Sequence, residues 1–513
     1  MEFDKLLGIE EPDFDGETPG SKFWTRVAYW LLRGGLSFQY RTMEVSGSDA
    51  IPDDRGTLNI CWHTNGLLDV APVIVNHPRY FVIGARHDLV NHILIGFWAR
   101  KLAAQPVIRQ AELIRGGCTA EEAKHLNGRS LVRLSRGIAS GNGCVLMPEG
   151  HSHHESHLTR FKTGPSRVLT SSVAIARTRE EAPPMLVPLG LHFRKRHLYR
   201  TDIWVEFAPA VEVHISEELA AHGEGYATGN WVEPPSDDVL ATRDLMYAQL
   251  DPLTPGSIDW DTYRGWKLLA HIDARSGGSP ELSWREEVEG ARHFRALSDS
   301  ELGTHGEQAE SGALDSQHSE MFERATTAAR ILDEAGLDAS ALSKDNRLVR
   351  DSRRRMLQAM PGMLLGLALL PLLLLSSGPQ MAMGYFLGNR TDEGEDARTS
   401  YQYLAIILSP FIVWPLTAAL GVLILATGFD VRPAILGIQP ITLFISVPFY
   451  IVLFLLMYPL YYLVAKVTMI YCFDALSDFR RELHLSALAN SADGTLLASL
   501  LARLEDDVAG LDE

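Results

Sequence analysis

The chain has 513 residues, too many for one hydrophobic core, so two or three structural units are expected. Its formal net charge is −17, with 47 basic against 64 acidic residues and no dense basic stripe, which argues against a nucleic-acid partner. Four cysteines, Cys61, Cys118, Cys144 and Cys472, stand far apart without metal-type pairing and point to a reducing compartment.

The N-terminus, Met1-Glu2-Phe3-Asp4, is acidic and lacks the basic-then-apolar pattern of a secretory signal, so the folded part that follows is expected in the cytoplasm. From Phe23 to Arg33 large apolar and basic residues recur at helical spacing. That pattern fits a helix lying in the headgroup plane of a membrane, or one packed on the neighbouring domain. Thr57–Trp62 reads as a short buried strand, and Leu67–Val75 begins an apolar-faced helix that Asn65 is suited to cap. His63 falls in the turn between them and Asp69 early in the helix. From there the carboxylate reaches one imidazole nitrogen, fixes the tautomer and leaves the other nitrogen basic.

Further strands are expected at 80–85, 104–108, 143–147, 185–191 and 202–208, with helices near 88–102, 120–140 and 165–178. This alternation predicts an α/β domain. From Glu212 to Arg350 the chain turns polar and helical, and both Ser276–Pro280 and Ser298–Ser316 read as linkers.

Three uncharged runs follow, Met356–Asn389, Tyr401–Phe429 and Pro433–Ala465, each longer than the ~20 residues that cross a bilayer. Pro371, Pro379, Pro448 and Pro459 interrupt the first and third, predicting broken, re-entrant or paired helices there. Lys344, Arg347, Arg350 and Arg353 to Arg355 precede the first run and belong on the cytoplasmic side. Lys466, Arg480 and Arg481 follow the last run and favour the same side, hence two or four crossings.

The His63–Asp69 pair is the first of four ordered blocks. It is followed by Phe81-Val82-Ile83-Gly84-Ala85-Arg86-His87-Asp88-Leu89, running on to Arg109. Next comes Val145-Leu146-Met147-Pro148-Glu149-Gly150-His151-Ser152-His153, running on to Gly164, and then Val187–Phe193. The series resembles the four sequence blocks of the glycerolipid acyltransferases, the glycerol-3-phosphate and lysophosphatidate acyltransferase superfamily, over roughly residues 20–215. Five residues separate His63 from Asp69 where the usual block has four, and Gly150 is followed by His151-Ser152-His153 in place of Thr-Arg. Both departures resemble the branch with fungal-type glycerol-3-phosphate and dihydroxyacetone-phosphate acyltransferases, and the second removes one expected phosphate ligand.

The resemblance implies a mixed sheet flanked by helices and O-acyl transfer at a lipid bilayer. The donor would be an acyl thioester, acyl-CoA or acyl-carrier protein, and no cofactor is implied. The acceptor would be glycerol-3-phosphate, with lysophosphatidate or dihydroxyacetone phosphate as alternatives. His63 would be the general base and Asp69 its orienting carboxylate. Arg86 and Arg109 would bind phosphate, with Arg160 and Lys162 as further candidates, and Glu149 and Gly150 would line the pocket, the glutamate holding a glycerol hydroxyl or a neighbouring cation.

Two other classes compete. The imidazoles and carboxylate from His151 to His157 suit zinc in a metal-dependent hydrolase, and a membrane lipid-binding protein of the same shape needs no turnover. The acyltransferase reading takes no metal. The expected organisation is an interfacial helix in 1–40, a catalytic domain at 41–215, a helical appended region and linker at 216–350, two to four spans within 356–473 and a cytoplasmic helical tail at 474–513.

Overall fold

The computed structural model describes residues 6–91, 95–108, 119–278, 282–301, 315–348, 353–390, 395–428 and 443–511. Contacts divide the chain into two compact units. One comprises Met1–Leu36, Thr42–Arg196 and Asp202–Tyr263, the other Ser37–Arg41, His197–Thr201 and Arg264–Glu513.

The first unit is built on a mixed sheet. Its strands are β1 (Tyr40–Ser46), β2 (Thr57–Cys61), β3 (Phe81–Val82), β4 (Gly84–Arg86), β5 (Gln105–Val107), β6 (Gly143–Leu146), β7 (Met185–Phe193) and β8 (Thr201–Phe207). Six of them form one sheet in the order β1-β8-β7-β2-β6-β3. β7, β2, β6 and β3 run parallel, and β8 is antiparallel to β7. Every residue of β2 is buried, as a central parallel strand covered on both faces requires. Helices Leu67–Asn76, Ala120–Ala139 and Gly164–Thr178 flank the sheet. The second of these starts with a capping box in which Thr119 and Glu122 satisfy each other's backbone amides.

The strand expected at 80–85 divides at Ile83, because β3 joins the main sheet while β4 pairs with β5 in a separate two-stranded ribbon. β1 escaped the sequence reading because its burial does not alternate: one buried residue is followed by three exposed ones.

The N-terminal helix spans Lys22–Gln39. Trp24 meets Phe97 and Trp98 edge-to-face, at 5.0 and 5.7 Å between ring centres. Phe23 and Trp30 remain 65% and 69% exposed. One face is therefore docked on the α/β unit while large apolar side chains stay outside on another.

The second unit is helical. Helix Trp284–Glu301 continues through the start of the linker expected at Ser298–Ser316, supported by an Arg295–Asp299 pair one turn apart at 3.5 Å. Residues 302–314 of that linker, and 279–280 of the other, lie outside the described residues.

Among the described residues two helices are long and apolar enough to cross a membrane, Arg353–Ser376 and Phe449–Ala489, with mean hydropathies of 2.0 and 1.8. The pair Thr399–Leu408 and Pro410–Leu423, bent by 53°, makes a third if it counts as one span. The breaks are not where most of the prolines predicted. Pro371 stays inside helix Arg353–Ser376, and Pro448 and Pro459 stay inside Leu443–Lys466. The first run breaks at Ser377 ahead of Pro379, and the second, for which no break was expected, at Ser409 ahead of Pro410. In both places proline occupies the first turn of a new helix, where its missing N–H is not needed. Residues 429–442, with the start of the third run, lie outside the described residues. Gly362 and Gly366 allow a close helix crossing: added Cβ atoms would stand 2.6 Å from Ala475 Cβ and 3.0 Å from Cys472 Cβ.

Candidate active site

In the parallel pair β2–β6, Ile60 stands opposite Leu146. His63 and Glu149 lie three residues beyond these partners, so the register brings their loops together at the carboxyl ends of the strands. That edge is where open α/β sheets build their ligand sites.

Glu149 ties the two loops. Its Oε2 accepts from His63 N at 3.0 Å, and its Oε1 accepts from His153 Nε2 at 2.7 Å, Thr159 N at 2.7 Å and Thr159 Oγ1 at 2.9 Å. His153 N donates to His63 O at 3.0 Å, so the backbone of His63 is held on both its donor and its acceptor. Burial pushes the Glu149 carboxyl up, but the donors, His153 foremost, outweigh it and hold the group below its ordinary 4.5. Of the partners expected from sequence, a glycerol hydroxyl or a neighbouring cation, the structure shows His153 beside Glu149, and the carboxylate is turned inward. Four donors fill a carboxylate's acceptor capacity.

His63 Nδ1 lies 2.8 Å from Asp69 Oδ2. The Asp69 side chain is fully buried and that of His63 is 20% exposed. The same oxygen accepts from Thr64 N at 2.9 Å and Asn65 N at 2.7 Å. An ionised carboxylate only accepts, so Nδ1 carries the proton and the lone pair is left on Nε2. Asn65 does not cap the helix as expected. Gly66 takes the N-cap position with φ +59° and ψ −123°, a conformation open in practice to glycine, and the turn's amides are satisfied by Asp69 itself.

Gly150 has φ +74°, and an added Cβ would meet Lys162 Cγ at 3.0 Å, so the lysine stem lies across the loop. Lys162 N donates to Pro148 O at 2.6 Å. Arg160 and Lys162 are exposed on either side of buried Phe161, and Arg86 is half-buried at the carboxyl end of β4. Arg109 lies outside the described residues.

A cation missed from sequence is Arg196, in the loop after β7. Its guanidinium donates to His153 O at 3.2 Å and to His154 Nδ1, and lies 5.2 Å from the Trp260 ring. Asn65 Nδ2 donates to the Arg196 carbonyl at 3.0 Å. Arg196 is thus joined both to the His63 turn and to the loop that holds it. The signal was the basic triplet Arg194-Lys195-Arg196 directly after the fourth block.

Among the described residues no group of three or more His, Cys, Asp or Glu is placed to hold a metal. His153 is engaged by Glu149, and His151 Nδ1 donates to the Glu149 carbonyl at 3.1 Å. Cys61, close by in sequence, is fully buried; burial first, then the charges of Asp69 and Glu149, push its thiol well above its usual range, so it is no nucleophile. What the loops present is a half-exposed imidazole of fixed tautomer, suited to taking a proton from an incoming hydroxyl.

Residues 42–190 match the family model described as Acyltransferase. Among solved structures the chain is similar to the 1-acyl-sn-glycerophosphate (LPA) acyltransferase from Thermotoga maritima, with 15% identity, 40% of this chain and 77% of that one covered, and a TM-score of 0.27. No curated protein matches the chain.

Proposed function

With residues 42–190 an acyltransferase domain as the premise, we propose that the protein moves a fatty acyl group from an acyl thioester to the hydroxyl of glycerol-3-phosphate at a membrane surface. The observation that carries the reading is the buried Asp69 carboxylate 2.8 Å from His63 Nδ1. It leaves Nε2 as the base.

His63 Nε2 takes the acceptor hydroxyl's proton as the oxygen attacks the thioester carbonyl. The tetrahedral intermediate collapses by breaking the C–S bond, and the departing thiolate takes the proton back from the imidazolium. Asp69 stabilises that imidazolium. No acyl-enzyme and no cofactor are needed; the donor is acyl-CoA or acyl-carrier protein. Arg196, with Arg86, Arg109, Arg160 and Lys162, supplies the positive charge for the acceptor phosphate. The basic residues ahead of helix Arg353–Ser376 support a cytoplasmic face for this chemistry. The His63–Asp69 spacing and the His151-Ser152-His153 sequence favour the branch that acylates glycerol-3-phosphate or dihydroxyacetone phosphate.

The test offers detergent-purified protein labelled acyl-CoA with glycerol-3-phosphate, dihydroxyacetone phosphate and lysophosphatidate in parallel, with products identified by mass. Glycerol-3-phosphate is expected to be the best acceptor, and His63→Ala should cut its acylation by about 10²–10⁴-fold. Preference for lysophosphatidate overturns the acceptor assignment. Undiminished transfer by His63→Ala overturns the mechanism.

A further inference from the structure

A second concentration of arginines lies at the far end of the helix that begins beside His63. Helix Leu67–Asn76 has ten residues, so it carries the chain about 15 Å away from the base, to the turn that feeds β3. There a pocket of about 350 Å³ is lined by Arg26, Tyr29, Trp30 and Arg33 of the N-terminal helix and by the His77–Tyr80 turn.

The pocket is positive. Arg26 bonds Glu17 at 2.9 Å, and Arg33 donates to the Val75 carbonyl at 3.2 Å. The Arg79 guanidinium makes no salt bridge shorter than 4 Å to a described carboxylate, although the charge of nearby Asp54 acts on it. Glu17 is shared with Lys22 and Asp54 is paired with Arg55, so these two negative charges leave an excess of positive charge from Arg26, Arg33, Arg79, Lys22 and Arg55. His77 adds none: Nδ1 accepts from Arg79 N at 3.0 Å and Nε2 donates to Thr57 Oγ1 at 3.0 Å, which fixes the turn and aims the arginine. Trp30 both lines the pocket and is 69% exposed, and Phe23, on the same helical face, is 65% exposed. A cationic pocket bordered by outward aromatic side chains suits a ligand with an anionic head and an apolar body.

We propose that this pocket holds the phosphate of an anionic lipid headgroup, at the opposite end of the strands from the catalytic base, while Phe23 and Trp30 enter the surrounding apolar phase. A free phosphate ion shares the headgroup's chemistry but gives the exposed aromatics no role. The site is independent of acyl transfer.

The full chain is reconstituted in phosphatidylcholine bilayers containing phosphatidylglycerol, with either lipid brominated on its tails. The quenching lost in Trp30→Phe isolates the signal of that tryptophan. Brominated phosphatidylglycerol is expected to quench Trp30 preferentially, and Arg33→Gln and Arg79→Gln should each lower this selectivity about fivefold. Arg79→Lys should retain most of it, which separates loss of charge from loss of fold. His63→Ala, inactive in transfer, should match the wild type. Equal quenching by both lipids, or selectivity untouched by Arg79→Gln, overturns the proposal. Binding of inorganic phosphate that Arg79→Gln removes, with no selectivity between the two lipids, assigns the pocket to a free anion and overturns the lipid assignment.

Discussion

Glu149→Gln probes how the base is held. The native carboxylate accepts one bond on Oε2, from His63 N, and three on Oε1. Glutamine keeps one oxygen and replaces the other by an NH₂ donor. With its oxygen toward His153 and Thr159, the new NH₂ confronts the His63 N–H across a 3.0 Å gap; reversed, it confronts three donors. The first orientation is cheaper, yet it forfeits one bond to a charged acceptor, about 1.5–3 kcal/mol, and leaves a half-buried N–H unsatisfied at about 1–3 kcal/mol more. The total, roughly 2.5–6 kcal/mol, is a large share of the ~5–15 kcal/mol that stabilises a typical domain. Displacing His63 by an ångström should lower the rate about 10²-fold. Thiol release from the acyl thioester gives kcat, and thermal unfolding in detergent gives stability; both should fall together. Wild-type rate and stability would refute the argument. So would a rate loss with unchanged stability, because Glu149 would then be acting on substrate and not through His63.

Asp69→Asn can keep its oxygen where three donors converge and place NH₂ at the unpartnered Oδ1 position, so His63 stays put and loses mainly its charge partner. A charge pair ~4 Å apart at an effective dielectric of ~20 is worth ~4 kcal/mol, so kcat should drop about 10³-fold, and a wild-type kcat rejects the role. Arg196→Ala should raise KM for the phosphorylated acceptor about 10–100-fold, the equivalent of one charged hydrogen bond of ~1.5–3 kcal/mol, with little effect on kcat; an unchanged KM removes Arg196 from the phosphate site. His77 is buried and neutral, its pKa lowered by burial from 6.5 to about 4. The unfolded chain takes up that proton first, so stability should be full above pH 6.5 and fall by about 1.4 kcal/mol per pH unit toward pH 4. Glu149, held below 4.5, adds stability that is present above that value and lost as pH falls through its folded pKa. His77→Gln should flatten the first limb, and an unaltered profile shows that His77 does not cause it.

Strand positions were legible because β6 and β7 are mostly apolar runs and β2 carries apolar residues beside its two polar ones, and the proximity of His63 and Asp69 was legible because both fall on one turn. The task of Glu149 was not legible. Pro148-Glu149-Gly150 marks a loop, but only the Ile60–Leu146 register shows that this loop meets the His63 turn. Arg196 was missed for the same reason: its approach to the site depends on the β7 loop folding back to Asn65 and His153, contacts more than 40 residues apart in sequence. Gly66 displaced Asn65 as the cap because a positive φ leaves no local mark beyond the glycine. In the apolar segment, counting prolines failed because a proline matters by its place in a helix. Pro371, Pro448 and Pro459 are carried within helices, whereas Pro379 and Pro410 open new ones.

The complete solvation of Asp69 Oδ2 and of Glu149 by the protein's own N–H and O–H dipoles has an electrostatic result. Two carboxylates flanking a cleft ordinarily project a negative potential into it and hinder a phosphorylated molecule from entering. Here inward-pointing donors, three at Asp69 Oδ2 and four at Glu149, weaken the local field of those oxygens without cancelling their charge. Beside them stands the guanidinium of Arg196, so on the proposed function the acidic groups that hold the imidazole would repel a phosphorylated acceptor less than bare carboxylates would.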